Sequence, residues 1–398
     1  MSLRILHIMQ SVHPASGGPI EGVRQIAIAH RNQGHSLEIA CLDPPGAPWL
    51  SFPGVPVEPC RRHWTDWLFP FTLCRWIHTH RRRYDAVVVN GIWDSHLLAA
   101  YLAIRGSATP FFVYPHGMLD PWFRYRYPLK HLKKWLFWPW AIHLPLHAAD
   151  AVCFTCEHER LLARKSFWLY SVNEVVVGYG TEGIPQPSHD YATPFLQAHP
   201  PIAGRQRFLF LGRVAPKKGP DLLLRAIATL QAEGLWDPAT MVLVLAGPAS
   251  GSYAEALKRL AARLGVSASL HWTGMLQGDA KWGAFQSADA FVLPSHQENF
   301  GIAVVEALSC SIPVLLSPAI NIAADIAAAG AALVEPDNHP GVSTLLRRWL
   351  ALDPAARDAM ATNARRCFEE RYQIDNASLS ITRAIHLAKL SRQLAHRS

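Results

Sequence analysis

Short, continuous apolar runs alternate with longer amphipathic segments along most of the chain. The apolar run Leu3–Met9 is followed by a helical pattern over Glu21–Arg31 and by a second apolar run at Leu37–Leu42. Continuous apolar strands separated by helices are typical of a parallel sheet that is covered by helices on both faces. The pattern therefore predicts an α/β fold with doubly wound, Rossmann-like parallel sheets.

The alternation occurs twice, and a chain of 398 residues is long enough for two cores. The first series ends near Ile184, and a stretch rich in Pro, His and small polar residues follows, as in a linker. A second series begins at Phe208, and the last helical segment is expected to return to the first domain. The predicted boundaries are 1–184 for the first domain, 185–204 for the linker and 205–375 for the second domain, with 376–398 packing on the first.

The net charge of the chain limits the partners that we expect for it, and its cysteine content limits the cellular compartment. The formal charge of +8 favours anionic partners, which include nucleotides, phosphorylated substrates, nucleic acid and acidic membranes. Seven cysteines without regular spacing indicate free thiols in a reducing compartment, and Cys153 and Cys156 are interpreted as buried thiols. The apolar stretch 135–154 is interrupted by prolines and an acid, so no transmembrane helix is predicted. We expect a cytoplasmic protein.

Two glutamates stand eight residues apart after the apolar strand Ala290–Leu293. Glu298 falls in a loop, Phe300-Gly301 marks the turn into a helix over Ile302–Ser309, and Glu306 lies on that helix. A helix N-terminus offers unpaired N–H groups that suit a phosphate. A sugar nucleotide requires this combination, in which carboxylates that accept hydrogen bonds from its hydroxyl groups lie on either side of an anion site.

In this arrangement the chain resembles the retaining group 1 (glycosyltransferase family 4-like) glycosyltransferases of GT-B fold. Their E-x7-E motif appears as Glu298 and Glu306, followed by Glu-Ala-Leu-Ser-Cys-Ser-Ile-Pro-Val. The resemblance implies two Rossmann-like domains facing a central cleft, with Glu298 on the donor sugar and Glu306 on the ribose. It also includes Asn299, Phe300 and Gly301 in the donor site.

A second motif opens the second domain, where an apolar strand ends at Gly212. Arg213 and Lys218 follow in the loop, and Asp221 stands where it could cap the next helix. Two cations at a helix start suit a diphosphate leaving group. In the family that the chain resembles, this G-R-x4-K-G pattern binds the nucleotide diphosphate, which implies that role for Arg213 and Lys218.

The strand Phe111–Tyr114 leads directly into Pro-His116-Gly-Met-Leu-Asp120-Pro-Trp122. A His at the carboxyl edge of a parallel sheet faces the crevice where such folds bind ligands. The His-Gly-Met-Leu-x-Pro-Trp motif is similar to a signature of family members that build bacterial surface polysaccharides. The resemblance implies that His116 lies near the donor sugar, and Asp120 and Trp122 near the acceptor.

Gly17 and Gly18 lie between the first strand and the first helix, in a Ser-Gly-Gly-Pro sequence that is not the G-x-G-x-x-G dinucleotide fingerprint. By resemblance, their backbone amides approach the donor phosphates or the acceptor, although an ordinary turn remains open. Before the linker the family's usual Asn-Gly-x-Asp is replaced, with Tyr179 and Glu182 at two of the positions. The Pro- and Trp-rich stretch 43–71 is either a packed surface excursion or part of an acceptor site.

Between Trp122 and Trp140, basic residues alternate with aromatic residues and no acid is present. This composition suits an anionic lipid interface and could also stack nucleic-acid bases, while a core-packed helix with one basic face remains a further interpretation. We favour the membrane and expect no nucleic-acid partner, because the transferases that the chain resembles commonly use lipid-diphosphate acceptors at the cytoplasmic face.

The function expected from these features is retaining hexosyl transfer from a nucleoside-diphosphate sugar to a glycan or lipid-linked acceptor in polysaccharide or glycolipid biosynthesis. His116, Glu298, Arg213 and Lys218 are the expected catalytic residues, and neither a metal nor another cofactor is expected. The alternatives are a sugar-nucleotide epimerase or phosphorylase of the same fold, and a non-catalytic protein that binds RNA or an anionic membrane.

Overall fold

The structure is a computed structural model that describes residues 2–14, 18–52, 54–60 and 70–395. The chain divides into two compact units. The first comprises Met1–Gly180 with Ile374–Ser398, and the second comprises Thr181–Gln373.

The described part of the first unit contains a sheet of seven strands. They are β1 (Arg4–Met9), β2 (Ser36–Cys41), β3 (Val57–Pro59), β4 (Ala86–Asn90), β5 (Phe111–Tyr114), β6 (Ala151–Phe154) and β7 (Glu174–Val176). All neighbouring strands are parallel, in the order β3-β2-β1-β4-β5-β6-β7. Strands β4 and β5 are buried at every position, as expected for central strands that are covered on both faces.

Helices form most of the crossover connections that parallel pairing requires, and the described part of the connection from β2 to β3 contains only a 3₁₀ turn at Pro48–Leu50. They are α1 (Gly18–Asn32), α2 (Phe71–His80), α3 (Ser95–Ile104), α4 (Trp122–Arg126), α5 (Pro128–Phe137), α6 (Leu144–Ala148) and α7 (Glu157–Ala163), with a π-helical segment at Trp138–His143. The final helix, α16 (Ile374–Ala395), also belongs to this unit. Its Ile381 and Ile385 are buried against the sheet, and Arg392 makes two hydrogen bonds of 2.7 Å to Asp150.

The second unit has a parallel sheet of six strands within its described residues. They are β8 (Gln206–Leu211), β9 (Met241–Ala246), β10 (Leu270–Gly274), β11 (Ala290–Leu293), β12 (Val314–Leu316) and β13 (Ala332–Val334). Their order is β10-β9-β8-β11-β12-β13. The helices are α8 (Ala192–Ala198), α9 (Pro220–Ala232), α10 (Ser252–Arg263), α11 (Gly278–Gln286), α12 (Ile302–Ser309), α13 (Ala323–Ala328), α14 (His339–Leu350) and α15 (Pro354–Cys367), followed by a π-helical segment at Phe368–Tyr372.

Each sheet reverses its strand order once in the middle. The reversal lies between β1 and β4 in the first unit and between β8 and β11 in the second. At such a reversal the connections leave to opposite faces, and the carboxyl ends of the two strands border a crevice in which doubly wound folds bind their ligands. The loops after these four strands therefore border the two candidate ligand-binding crevices.

Two segments differ from the sequence-based expectation. The predicted linker 185–204 contains α8, a 3₁₀ turn at Pro200–Ile202 and the buried Phe195, and it belongs to the second unit. It packs closely on α11, because a Cβ at Gly283 would lie 2.4 Å from the carbonyl oxygen of Tyr191. The Pro-rich stretch 43–71 contributes the edge strand β3, and its residues 61–69, with Trp64 and Trp67, lie outside the described residues.

Within the described ranges, every helix is too short or too polar to cross a lipid bilayer.

Candidate active site

In the second unit, the loop after β8 turns sharply at Gly219. A 3₁₀ turn over Pro216–Lys218 ends at Gly219, whose φ of 65° lies in the left-handed region. A Cβ at this position would lie 2.4 Å from the carbonyl oxygen of Pro294, which follows β11. Glycine is therefore required both for the backbone conformation and for the close approach of the two loops. The approach brings Lys218 next to the loop that contains Glu298.

Lys218 and Glu298 form an ion pair across the reversal of the second sheet, although 80 residues separate them in the chain. The backbone of Glu298 is held on both sides. Its N–H donates to Ala319 at 3.0 Å, and its carbonyl oxygen accepts from Asn321 at 3.1 Å. Both side chains are about four-fifths shielded from solvent. The carboxylate and the ammonium group are thus fixed beside each other at the strand ends.

Helix α12 begins directly after this pair. Gly301 precedes it with a φ of 78°, and no side chain caps the first turn. The side-chain oxygen of Asn299 accepts a hydrogen bond of 3.2 Å from the side-chain nitrogen of Asn321, and Phe300 is buried against Tyr372 with ring centroids 5.8 Å apart. Backbone N–H groups at a helix start that lacks a side-chain cap are suited to bind an anion.

Glu306, in the second turn of α12, is only 7% exposed. Its carboxylate lies 2.9 Å from Nζ of Lys281, and the same ammonium group lies 4.2 Å from the ring centroid of Trp282. An acid at this depth requires a cation to offset its desolvation. Lys281 could not be predicted from the sequence, because a lysine on a preceding helix has no motif that relates it to Glu306.

Arg213 is exposed at the carboxyl end of β8. In the part of the chain that the structure describes, its guanidinium group makes no hydrogen bond or ion pair. Arg213 is therefore not bonded to Lys218 or Glu298. Asp221 does not cap α9 as expected. The N-cap position is Gly219, and the Asp221 carboxylate accepts a hydrogen bond of 3.0 Å from the hydroxyl of Tyr253.

In the first unit, Asn90 at the end of β4 connects three histidines. Its side-chain oxygen lies 3.0 Å from Nε2 of His116, and its side-chain nitrogen lies 3.1 Å from Nδ1 of His7. Its carbonyl oxygen lies 3.0 Å from Nε2 of His96. The amide can only donate through nitrogen and accept through oxygen, so His116 donates from Nε2 and its Nδ1 is left as an acceptor. His7 correspondingly accepts at Nδ1.

His116 is partly buried and stacks on Tyr114, with ring centroids 5.4 Å apart. Its φ of 49° is unusual for a residue with a side chain, and such strain is concentrated at functional sites. Burial lowers the pKa of His116 to about 4, so the imidazole is neutral at pH 7. It can then accept a hydrogen bond at Nδ1 without carrying a charge.

Glu159 of α7 holds the turn that follows His116. Its carboxylate accepts hydrogen bonds from the backbone N–H of Gly117 at 2.5 Å, from the N–H of Thr155 at 2.7 Å and from the Thr155 hydroxyl at 2.6 Å. Glu159 is 3% exposed, and these three donors stabilise its buried charge. Its contribution to the turn was not expected from the sequence.

Asp120 and Trp122, the expected acceptor residues, lie in the same connection. The Asp120 carboxylate accepts a hydrogen bond of 2.8 Å from the N–H of Trp122 at the start of α4. The Trp122 ring packs edge-on against Phe123 and Tyr127, with centroids 5.3 and 6.0 Å away. Both residues thus have local structural contacts in addition to the predicted role.

Tyr179 contacts both Gly18, a residue of the expected glycine loop, and His116. Its hydroxyl donates to the carbonyl oxygen of Gly18 at 3.2 Å, and its ring lies edge-on to His116 at 5.8 Å. The ring lies directly on α1, because a Cβ at Gly22 would overlap the Tyr179 hydroxyl. Gly17 lies outside the described residues.

Some of the predicted residues therefore come together within each unit. Lys218, Glu298, Asn299, Phe300 and Gly301 come together in the second unit, and His116 and Gly18 are related through Tyr179 in the first. The residues that sequence reasoning did not identify are His7, Asn90, Glu159 and Lys281. Across residues 2–14, 18–52, 54–60 and 70–395, no group of three His, Cys, Asp or Glu side chains could hold a metal ion.

Two family profiles match the chain. Residues 194–367 match the glycosyl transferases group 1, and residues 17–180 match the glycosyl transferase 4-like domain. The D-inositol 3-phosphate glycosyltransferase of Kineococcus radiotolerans is 31% identical over 175 residues, which are 41% of this chain and 40% of that protein. The chain thus spans about two fifths of the length of the curated relatives that it matches.

Solved structures of similar fold cover nearly the whole chain. Sucrose-phosphate synthase from Thermosynechococcus elongatus has a TM-score of 0.74 at 17% identity and covers 99% of this chain and 100% of its own. HepE of Anabaena, in complex with UDP and glucose, has a TM-score of 0.75 at 18% identity and covers 96% and 99%. With its two parallel α/β sheets the chain has a GT-B architecture, in which residues 17–180 form a glycosyl transferase 4-like domain and residues 194–367 a group 1 glycosyl transferase domain.

Proposed function

We propose that this protein transfers a hexose from a nucleoside-diphosphate sugar to a glycan or lipid-linked acceptor, with retention of the anomeric configuration. The observation that supports this function best is the Lys218–Glu298 pair at the reversal of the second sheet, beside the start of α12. It combines a cation, a carboxylate that can accept hydrogen bonds from sugar hydroxyls, and the first amides of α12, which no side chain caps. A diphosphate that carries a sugar requires these three groups together.

The second unit is the donor-binding unit in this proposal. Lys218 and the exposed Arg213 bind the diphosphate, and the first amides of α12 contribute to the same charge. The Lys218 ammonium group then exchanges part of its contact with Glu298 for the phosphate oxygens. That exchange leaves the Glu298 carboxylate available to accept hydrogen bonds from the sugar hydroxyls. Glu306, held by Lys281, accepts from the ribose.

Catalysis depends on stabilising the charge that grows on the leaving diphosphate. The acceptor oxygen forms its bond to the anomeric carbon as the bond to the phosphate oxygen breaks, on the same face of the sugar. The acceptor proton passes to the departing phosphate oxygen, so no side chain forms a covalent intermediate. In the first unit, His116 is neutral, and its Nδ1 is available to accept a hydrogen bond from a sugar hydroxyl. No metal has a role in this proposal.

We further propose a UDP-sugar as the donor and a lipid-diphosphate-linked acceptor in polysaccharide or glycolipid biosynthesis, at the cytoplasmic face of the membrane. The donor rests on HepE, a structure of the same fold that holds UDP and glucose. The acceptor rests on the basic and aromatic stretch 122–140, which follows His116 in the chain. Nucleic acid has no role in this proposal.

The donor is tested by a thermal-shift screen of the protein against UDP-, GDP- and ADP-sugars, without added metal. A bound donor stabilises the native state by mass action. We expect a shift with the UDP-sugar that is lost in Arg213→Ala and in Lys218→Ala but kept in Arg259→Ala, an exposed arginine of α10. A shift with no donor would overturn the transferase proposal. The anomeric configuration of the product, read by NMR, tests retention.

A further inference from the structure

Helix α5 is amphipathic but has no buried residue. Leu129 is 83% exposed, Leu136 68% and Leu132 61%. A helix of ten residues is marginally stable in water, and burial of its apolar face normally provides most of its stability. Three exposed leucines and the exposed Trp135 on one short helix therefore indicate that this face binds another apolar surface when the protein functions.

The leucines share one side of α5. At about 100° per residue, Leu129, Leu132 and Leu136 fall within an arc of about 60°. The opposite side faces the unit, since His131 stacks on Phe167 with centroids 4.7 Å apart and Lys134 lies 4.1 Å from the ring centroid of Trp93. The leucine face consequently points away from the protein.

The apolar face continues onto the neighbouring segments. The exposed side chains that extend it are Tyr125, Tyr127, Phe137, Trp140, Leu144, Trp168 and Leu169. This set is not a poorly folded region, because Trp138, in the same stretch, is fully buried and donates a hydrogen bond of 2.6 Å to the carbonyl oxygen of Trp168. A defined scaffold thus presents an apolar surface. We call it the α5 surface, defined by these seven residues and α5.

Positive charge surrounds the α5 surface. From residue 121 to residue 149 the chain has no Asp or Glu, and it has five Lys or Arg residues. Arg124, Arg126, Lys130 and Lys133 are exposed. Leucine and tryptophan side chains with lysines along one flank are what an interfacial helix needs to lie in an anionic lipid surface. A second protein would have to match both the apolar face and four exposed positive charges.

A cavity of about 860 Å³ opens between α5 and the loop after α7. Its walls include Leu132, Trp135 and Trp168, with the two tryptophan rings 5.4 Å apart. Arg124 and Lys165 line it and are exposed, while Arg164, a third cation, is bound to Glu174. A pocket that combines apolar walls with two cations, neither of which forms an ion pair with a described residue, fits an anionic phosphate that is attached to an apolar chain.

We propose that the α5 surface binds an anionic membrane and that this cavity receives a phospholipid headgroup at Arg124 and Lys165. The proposal rests on the proposed function, since it places the protein at the surface where a lipid-linked acceptor would be found. Leu129, Leu132 and Leu136 enter the acyl boundary, and Trp135 and Trp140 lie at the headgroup level. Lys130 and Lys133 contact phosphates beside the helix.

The test is cosedimentation of the full-length protein with vesicles of phosphatidylcholine, with and without phosphatidylglycerol. We expect binding only to the anionic vesicles. Lys130→Glu/Lys133→Glu and Leu129→Ser/Leu136→Ser should each weaken it by ~10-fold or more. The charge-matched control, Arg259→Glu/Arg263→Glu on exposed positions of α10, should bind like the wild type. The altered side chains are exposed, so unfolding temperatures should stay unchanged.

A second variant, Arg124→Glu/Lys165→Glu, tests the cavity. We expect weaker binding to phosphatidylglycerol vesicles. Brominated acyl chains should quench tryptophan emission of the wild type, and less so in Trp135→Phe/Trp140→Phe. Equal binding to both kinds of vesicle, unchanged binding of the α5 variants, or an α5 variant that converts a dimer to a monomer would overturn the proposal. Donor-induced thermal shifts in the same variants separate this outcome from failure of the transferase proposal.

Discussion

The side-chain oxygen of Asn90 lies 3.0 Å from Nε2 of His116, and the nitrogen of the same amide lies 3.1 Å from Nδ1 of His7. One amide at the end of β4 thus orients two imidazoles that are 109 residues apart in the chain. Since burial keeps His116 neutral, this contact selects the tautomer that presents Nδ1 as an acceptor.

Replacing Asn90 with Asp should change the pH dependence of transfer. A carboxylate beside Nε2 favours the imidazolium form, so the pKa of His116 should rise from about 4 towards neutrality. The rate at pH 6 should then fall about tenfold relative to the rate at pH 8, whereas the wild-type rate should change little over this range. Measuring kcat/KM against pH checks this. A parallel loss at every pH would indicate a merely structural effect.

Removing the Lys218 ammonium group should weaken donor binding. The loss of a charge-assisted hydrogen bond to a diphosphate corresponds to roughly 10- to 100-fold in Kd. Lys218→Ala is measured by isothermal titration with the donor nucleotide. The matched control is Lys258→Ala, which removes a lysine that pairs with Glu255 at 3.1 Å in the same unit. Equal affinity of both variants would contradict the assigned role.

Glu298→Gln should reduce transfer by about 100-fold while leaving the nucleotide affinity within a few-fold of the wild type. The amide keeps the size of the side chain but replaces one acceptor with a donor, and it cannot form an ion pair with Lys218. Single-turnover rates and nucleotide titration separate the two effects. A rate within twofold of the wild type would remove Glu298 from the site.

Gly219→Ala should destabilise the second unit more than Gly234→Ala. Both glycines have positive φ, 65° and 72°, so both substitutions incur the cost of a left-handed backbone, about 1 kcal/mol. Only at Gly219 does the new Cβ meet an atom, the Pro294 oxygen at 2.4 Å, whereas nothing lies within 4 Å at Gly234. Urea unfolding measures the difference. Equal losses of unfolding free energy in the two variants would show that the loops of Gly219 and Pro294 move apart at no cost.

The first unit should lose stability as the pH falls from about 6.5 towards 4. Burial lowers the pKa of His7 to about 3 and that of His30 to about 4, so the unfolded chain binds protons in this window and the native state does not. Each histidine contributes roughly 3 kcal/mol of this loss by pH 4. Denaturant unfolding at pH 7 and pH 4.5 tests it, and His30→Gln should reduce the slope.

Several elements could be predicted from the sequence because their causes are local. Helix α12 begins and ends where expected, at Ile302 and Ser309, and strands β5 and β11 have the expected bounds, Phe111–Tyr114 and Ala290–Leu293. Apolar runs of four residues between polar turns can only be central strands here, and Gly301 marks the start of α12. The helix in the predicted linker was missed because the short α8 depends on Phe195 being buried in the second unit rather than on its own periodicity.

The sequence alone determined the two α/β units, the doubly wound class of their sheets and the position of Glu298 before a helix, because strand and helix periods are properties of neighbouring residues. Only the tertiary structure decided the pairing of Lys218 with Glu298, of Lys281 with Glu306, and of Asn90 with His7 and His116. These contacts depend on strand order. The chain reaches β4 after β2 and β3 and β11 after β9 and β10, and hydrogen bonding between distant strands then places their ends side by side.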